Sequence, residues 1–233
     1  PRRAPTSWHA RWNRQPHRAR TIKDTRAMLV KTYGAAVQGI DAIIITVEVA
    51  VGRGYEYRIV GLPDTAVKES QERVRLALLN SGRELPRHNV VINLSPADVR
   101  KEGAAYDLPI AVALMAGAEK ITAPGLDRYM IMGELSLVLP VRGALPMAIA
   151  ARAAGFKGMI LPQANATEAA VVNNLEVYGV DTLSQVLDFV SGAAAIEPTI
   201  VDTRKEFARE AGCTDVDFSD VKGQENVKRA FEV

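Results

Sequence analysis

The stretch KEGAAYDLPIAVALMAG, residues 101–117, carries a glycine turn into a run of small apolar residues. A loop of this build often presents a nucleophile at a helix start, where free backbone N–H groups can hold a developing oxyanion. This turn offers Gly103, Ala104 and Ala105, with no Ser, Cys or Thr. Ser95 and Lys101 would make a Ser/Lys dyad only if the lysine were desolvated enough to act as a base. Its neighbours Arg100 and Glu102 are charged, so Ser95 reads instead as a turn residue before Pro96. Asp98 and Glu102 could share a cleft as paired carboxylates, yet Arg100 and Lys101 beside them favour a solvated, ion-paired loop. Three His, at positions 9, 17 and 88, and one Cys show no metal-ligand spacing, and His88 reads as a strand-start or surface residue. The phosphate loop G-x-x-x-x-G-K-[ST] is absent, and GRG at 52–54 lacks the third glycine of a dinucleotide loop.

These residues need elements to position them. LVKTYGAAV and DAIIITVEVAVG read as strands, β-branched and bounded by Gly39 and Gly52, and YEYRIVGL as a third. The short connection between the second and third predicts an antiparallel opening of three strands. Residues 63–82 predict one helix, capped by Asp64 or Thr65 and ended by Gly82, with Val67, Val74, Ala77, Leu78 and Ser81 along one face. Glu69 and Arg73 are spaced for an i,i+4 pair worth about 0.3 kcal/mol. NVVINLSP is a strand stopped by Pro96. The helix after the turn runs about twelve residues, with Asp107 and Pro109 suited to its first turn. YMIMGELSL, KGMILP and LEVYGV then alternate as strands with helices in ALPMAIAARAAG, NATEAAVV and TLSQVLDFVSG, which predicts an α/β layer structure.

The 233 residues are 48% hydrophobic and 24% charged, a globular composition. One cysteine, Cys213, excludes an internal disulfide and fits a reducing compartment. No apolar run has the length of a membrane span. The net charge of +2 is unevenly placed: residues 1–27 hold eight Lys/Arg and one acid, and the rest holds 21 basic and 26 acidic residues. Residues 1–27 show no apolar periodicity and read as a disordered or non-native basic extension, with Met28 as the natural start. Residues 197–220 read as a linker, after which VKGQENVKRAFEV begins a new helix.

Four segments follow one another: VEVAVGRGYEYRIVGLPDTAVKESQERVRLALLNSG, INLSPADVRKEGAAYDLPIAVAL, GELSLVLPVRGALPMAIAARAAGFKGMILP and FSDVKGQENVKRAFEV. Their order resembles the amino-terminal part of the ComM/YifB proteins, magnesium-chelatase-like AAA+ ATPases, from about Met28 to the end. IVGLPDTAVKES is the most specific part. The resemblance implies an α/β (α+β) fold of the ribosomal-protein-S-five domain-two-like, Lon-peptidase-like kind over 28–196, a mixed sheet with packed helices and a left-handed βαβ crossover. It implies a linker over 197–220 and the truncated start of an AAA+ module at 221–233.

By the same resemblance, Ala104 and Ala105 stand where Lon-type peptidases carry the nucleophilic serine, and Pro146 where they carry the partner lysine. The fragment is then no peptidase, and its loop and helix are scaffold. Val221, Gly223 and Gln224 resemble the border of an adenine pocket, an incomplete nucleotide site, so the fragment needs no cofactor, while ATP and Mg²⁺ are expected for a full-length parent. That parent would be a cytoplasmic ring hexamer, an ATP-driven DNA branch-migration motor in natural transformation. Lys68, Arg73, Arg75, Arg83, Arg87, Arg100 and Lys101 are the residues expected to neutralise DNA phosphates. The alternatives are a Lon-type Ser/Lys peptidase with a dyad such as Ser95 and Lys101, and an accessory subunit of a metal chelatase.

Overall fold

A two-residue turn, with Gly39 at φ 64° as its first central residue, joins β1 (Met28–Gln38) to β2 (Asp41–Gly52). The antiparallel ladder runs from Gln38↔Asp41 to Met28↔Val51. Side chains alternate along it: Ile45, Val47, Val49 and Val51 enter the core, while Lys31 and Glu48 meet on the opposite face at 2.8 Å. The structure, a computed structural model, describes residues 28–85, 89–135, 139–202 and 222–231. The basic stretch 1–27 and most of the expected linker lie outside the described residues.

The remaining strands are β3 (Tyr57–Val60), β4 (Asn89–Ser95), β5 (Tyr129–Ile131), β6 (Gly158–Pro162) and β7 (Glu176–Val180). They form one seven-stranded mixed sheet in the order β3-β4-β2-β1-β5-β6-β7. The expected three-strand antiparallel opening is corrected here. β3 does not pair with β2; it lies parallel to β4, and β4 lies antiparallel to β2. The helical connection between β3 and β4 makes the parallel pair, and β4 then occupies the edge of β2 that a meander would have given to β3.

That connection is two helices where the sequence predicts one. They are α1 (Thr65–Lys68) and α2 (Ser70–Asn80), with Glu69 closing the first and opening the second. The break has a local cause. Arg73 Nη2 donates to the Ala66 carbonyl at 2.5 Å, the acceptor a continuous helix would give to the amide of Ser70. The predicted apolar face holds in part, since Val67, Val74 and Leu78 are fully buried.

α3 (Asp107–Gly117) is buried on every side, as a helix apolar all round must be. It lies on β1 and β2, with α2 against it. Small residues permit the close approach: a Cβ on Gly117 would sit 2.9 Å from Val51 Cγ2. Leu108, Ile110 and Leu114 are fully buried, each worth about 1.5–3 kcal/mol. Thr32 Oγ1 on β1 donates to the Pro109 carbonyl at 3.1 Å, pinning the first turn to the sheet.

α4 (Ala144–Ala153) and α5 (Gln163–Ala169) connect β5 to β6 and β6 to β7. α6 (Leu183–Ser191) opens with a Thr182/Gln185 capping box and ends at Gly192, φ 76°. α7 (Glu225–Phe231) is the last element.

Candidate functional site

β1 and β5 are parallel neighbours, paired at Tyr33↔Met130, and the chain leaves them in opposite directions. β1 turns back into β2, and β5 proceeds through α4 to β6. Parallel strands that part in this way leave a crevice at their carboxyl ends. A crevice of about 770 Å³ opens there, bounded by the end of β1, the loop 100–106, Glu134 and the segment 140–142.

The loop that forms its floor is held by the most specific part of the sequence, IVGLPD. Gly61 lies at φ 100°, and a Cβ there would come within 2.1 Å of the Leu94 carbonyl oxygen. Leu62 is in the left-handed region at φ 54°, a strained setting for a side chain. Pro63 then bridges Lys101, with Lys101 N–H donating to the Leu62 carbonyl and Asp64 N–H to the Lys101 carbonyl. Asp64 works twice: Oδ1 accepts from Val67 N–H at 2.8 Å, capping α1, and Oδ2 accepts from Gly103 N–H at 2.9 Å, tying down the crevice loop. Asp64→Ala is expected to cost about 1 kcal/mol in a urea melt and to speed hydrogen exchange at Gly103, leaving the amides of α6 unchanged.

Ala104 and Ala105 line the crevice with methyl groups. The helix start is not an open anion seat either. Asp107 N–H donates to the Ala104 carbonyl and Leu108 N–H to the Gly133 carbonyl. Pro146 sits in the first turn of α4, and Met147 from that helix reaches the crevice. Two side chains outside the predicted set fix the far rim. Asn165 accepts from Val141 N–H at 2.8 Å and donates to the Val141 carbonyl at 2.9 Å, while Glu168 accepts from Leu145 N–H at 3.0 Å. A buried Asn in a helix is the sort of signal that would mark such a clamp, but its partner lies 24 residues away and is not legible from spacing.

The placement of Lys101 corrects two expectations. Its relative exposure is 0%, so it does not stand among surface residues facing phosphate. Burial pulls its pKa down, with Asp98 opposing. The ammonium nitrogen donates to the Pro96 carbonyl and forms no hydrogen bond with Ser95. The charged sequence neighbours concealed this, because the bridge to Pro63 turns the side chain inward while Arg100 and Glu102 pair outside at 3.0 Å.

Arg73 is likewise no free surface cation. Its guanidinium grips the Asp107 carboxylate at 2.6 and 2.9 Å, and contact with Glu69 is a marginal 3.9 Å. Asp107 is 0% exposed and also accepts from Leu135 N–H at 3.4 Å. Burial pushes its carboxyl up, and the arginine's hydrogen bonds act against that. This pair ties α2, the start of α3 and the crevice wall together.

The other basic residues scatter. Arg75 pairs with Glu72 at 3.0 Å, Arg83 with Asp188 at 3.4 Å, and Lys68 is exposed. Arg87 and His88 lie outside the described residues, as does Val221. Gly223 and Gln224 are exposed, with φ of 75° and 62°. No helix among the described residues is long and apolar enough to cross a membrane.

Residues 47–165 match the family model of subunit ChlI of Mg-chelatase. The YifB protein of Escherichia coli is 41% identical over 203 residues, covering 85% of this chain and 39% of that protein. The competence protein ComM of Haemophilus influenzae is 34% identical over 210 residues, 88% of this chain and 41% of ComM. The archaeal Lon protease of Thermococcus kodakarensis is 26% identical over 181 residues, 72% of this chain and 28% of the protease. The chain therefore spans about two-fifths of the length of the first two relatives.

Proposed function

Because the chain belongs to the family of Mg-chelatase subunit ChlI, alongside YifB and ComM, we propose that it is the non-catalytic, Lon-like amino-terminal domain of an ATP-driven motor. One observation carries the reading. The crevice where the fold would hold a hydrolytic pair is floored by Ala104 and Ala105, and the nearby lysine amine is sealed on the Pro96 carbonyl. A general base must reach the proton it removes, and a nucleophile must carry one to lose. The methyl groups of Ala104 and Ala105 and the engagement of Lys101 with the Pro96 carbonyl both support the non-catalytic reading.

The parent protein is then a cytoplasmic, ring-forming, ATP- and Mg²⁺-dependent motor that drives DNA branch migration during natural transformation, and this domain supports its assembly or its grip on DNA. The exposed basic residues Lys68, Arg75 and Arg100, with the half-buried Arg83, are those through which it would meet phosphates.

Incubated with casein and with a fluorophosphonate probe, the chain is expected to show no cleavage and no labelling. Labelling of Ser95, or any turnover abolished by Lys101→Met, would overturn the non-catalytic reading. In a salt titration with forked DNA, binding should weaken steeply with salt, and reversing Lys68 and Arg75 to glutamate should flatten the slope. A slope unchanged by both reversals would take DNA contact away from this face.

A further inference from the structure

We propose that the crevice at the ends of β1 and β5 holds an extended polypeptide segment bearing a carboxylate, bound through the main chain of Val37 and the guanidinium of Arg142. This deepens the reading above and rests on it, since a crevice that cleaved the segment would release it.

The first support is a strand edge that runs out of partners. The two-residue turn makes Gln38↔Asp41 the closing pair of the hairpin, so even-numbered residues of β1 bond to β2. Odd-numbered residues aim their N–H and C=O the other way. Tyr33 meets β5 there, at Met130. At Ala35 β5 has ended, yet side chains stand in for it. Ala35 N–H donates to Met132 Sδ at 3.2 Å, and its carbonyl accepts from Tyr106 Oη at 3.1 Å. At Val37 nothing stands in: among the described residues neither main-chain group has a partner, and the residue is 39% exposed at the crevice. An unpaired strand position beside a cavity is a template for one added segment.

The second support is the charge around it. Asp64, Glu102 and Glu134 line the crevice with Arg100 and Arg142. Acids outnumber bases, so the polyanionic backbone of a nucleic acid is repelled. Asp64 is engaged with Gly103 and Val67, and Glu102 with Arg100. Arg142 is exposed and pairs with no carboxylate among the described residues, leaving a forked cation for a carboxylate on the ligand. That carboxylate comes from an Asp or Glu side chain or from a chain terminus.

The test uses the ¹⁵N-labelled chain and an acetylated pentapeptide alternating threonine and valine. The peptide is made in three forms: with a free carboxyl terminus, amidated with a terminal glutamate, and amidated without an acid. Amide shifts are expected at Val37, Gln38, Ala104 and Ala105. The acid-bearing forms should bind about tenfold more tightly than the neutral one, and the stronger of the two identifies the carboxylate's source. Arg142→Gln should erase the tenfold difference. Val37→Pro removes an N–H that points away from β2, and should weaken all three forms about fivefold, the worth of one main-chain hydrogen bond. The proposal fails if no form shifts crevice resonances at about 10 mM, or if Arg142→Gln leaves the preference for acid intact. It fails equally if a single-stranded oligonucleotide shifts the same resonances and the peptides do not. Cleavage of the peptide, read by mass spectrometry, would sink the non-catalytic reading instead, so the two failures are distinguishable.

Discussion

Replacing Arg73 with alanine is expected to destabilise the fold by about 3–5 kcal/mol, because it strands the fully buried Asp107 carboxylate without its cation. Two charge-assisted hydrogen bonds go, as does the guanidinium's bond to the Ala66 carbonyl. A urea melt measures the loss, and Arg75→Ala is the control. Arg75 pairs with Glu72 on the exposed face of the same helix, where such pairs contribute about 0–1 kcal/mol. The deficit carries a pH signature. Burial already pushes Asp107 up, and Arg73 holds it back. Without the arginine the carboxyl rises further, so the folded variant keeps a proton that the unfolded chain releases above about pH 4. Stability of the variant then falls as pH rises through that window. The gap to the unsubstituted chain should widen from pH 4 to pH 8, and a gap that narrowed would show that Asp107 is not the group left unpaired. A double variant, Arg73→Met with Asp107→Leu, should recover most of the loss, as replacement of a buried pair by apolar residues often does.

Gly61→Ala is expected to cost more than about 3 kcal/mol, in the range reserved for backbone collisions and special dihedrals. The added methyl would meet the Leu94 carbonyl at 2.1 Å from a backbone at φ 100°, and neither strand can yield without breaking the β3–β4 pairing. Gly39 supplies the comparison. It also has a positive φ, 64°, but open space around the site of a Cβ, so Gly39→Ala should cost only the left-handed penalty of about 1–2 kcal/mol. Equal losses at the two positions would mean that space around Gly61 does not matter. Since Gly61 starts the segment that carries Asp64, Gly61→Ala should also perturb the amide of Gly103, and Gly39→Ala should not.

Much of the fold was legible because its signals are local. The β-branched runs of β1 and β2, the helical spacing of Val67, Val74 and Leu78, the glycine after α2 and the small-residue run of α3 all arise from residues close together in the chain. Those periods fix which elements form and which faces are apolar. The order of strands was not legible past the first hairpin. A short connection from β2 to β3 looks antiparallel from either end, and only the pairing of β4 with both β2 and β3 displaces the expected meander.

The sequence by itself determined most of the elements, the family resemblance and the alanines in the turn, because residue identity is read directly and helical or strand period needs no long-range contact. Only the tertiary structure decided what the charges do. Lys101 and Arg73 look like surface cations among charged neighbours. The bridge from Pro63 to Lys101 and the reach of Arg73 across 34 residues to Asp107 take both out of the solvent-facing set. Burial and pairing depend on which distant segments the topology brings within a few ångströms, and charge in a sequence carries no record of that distance.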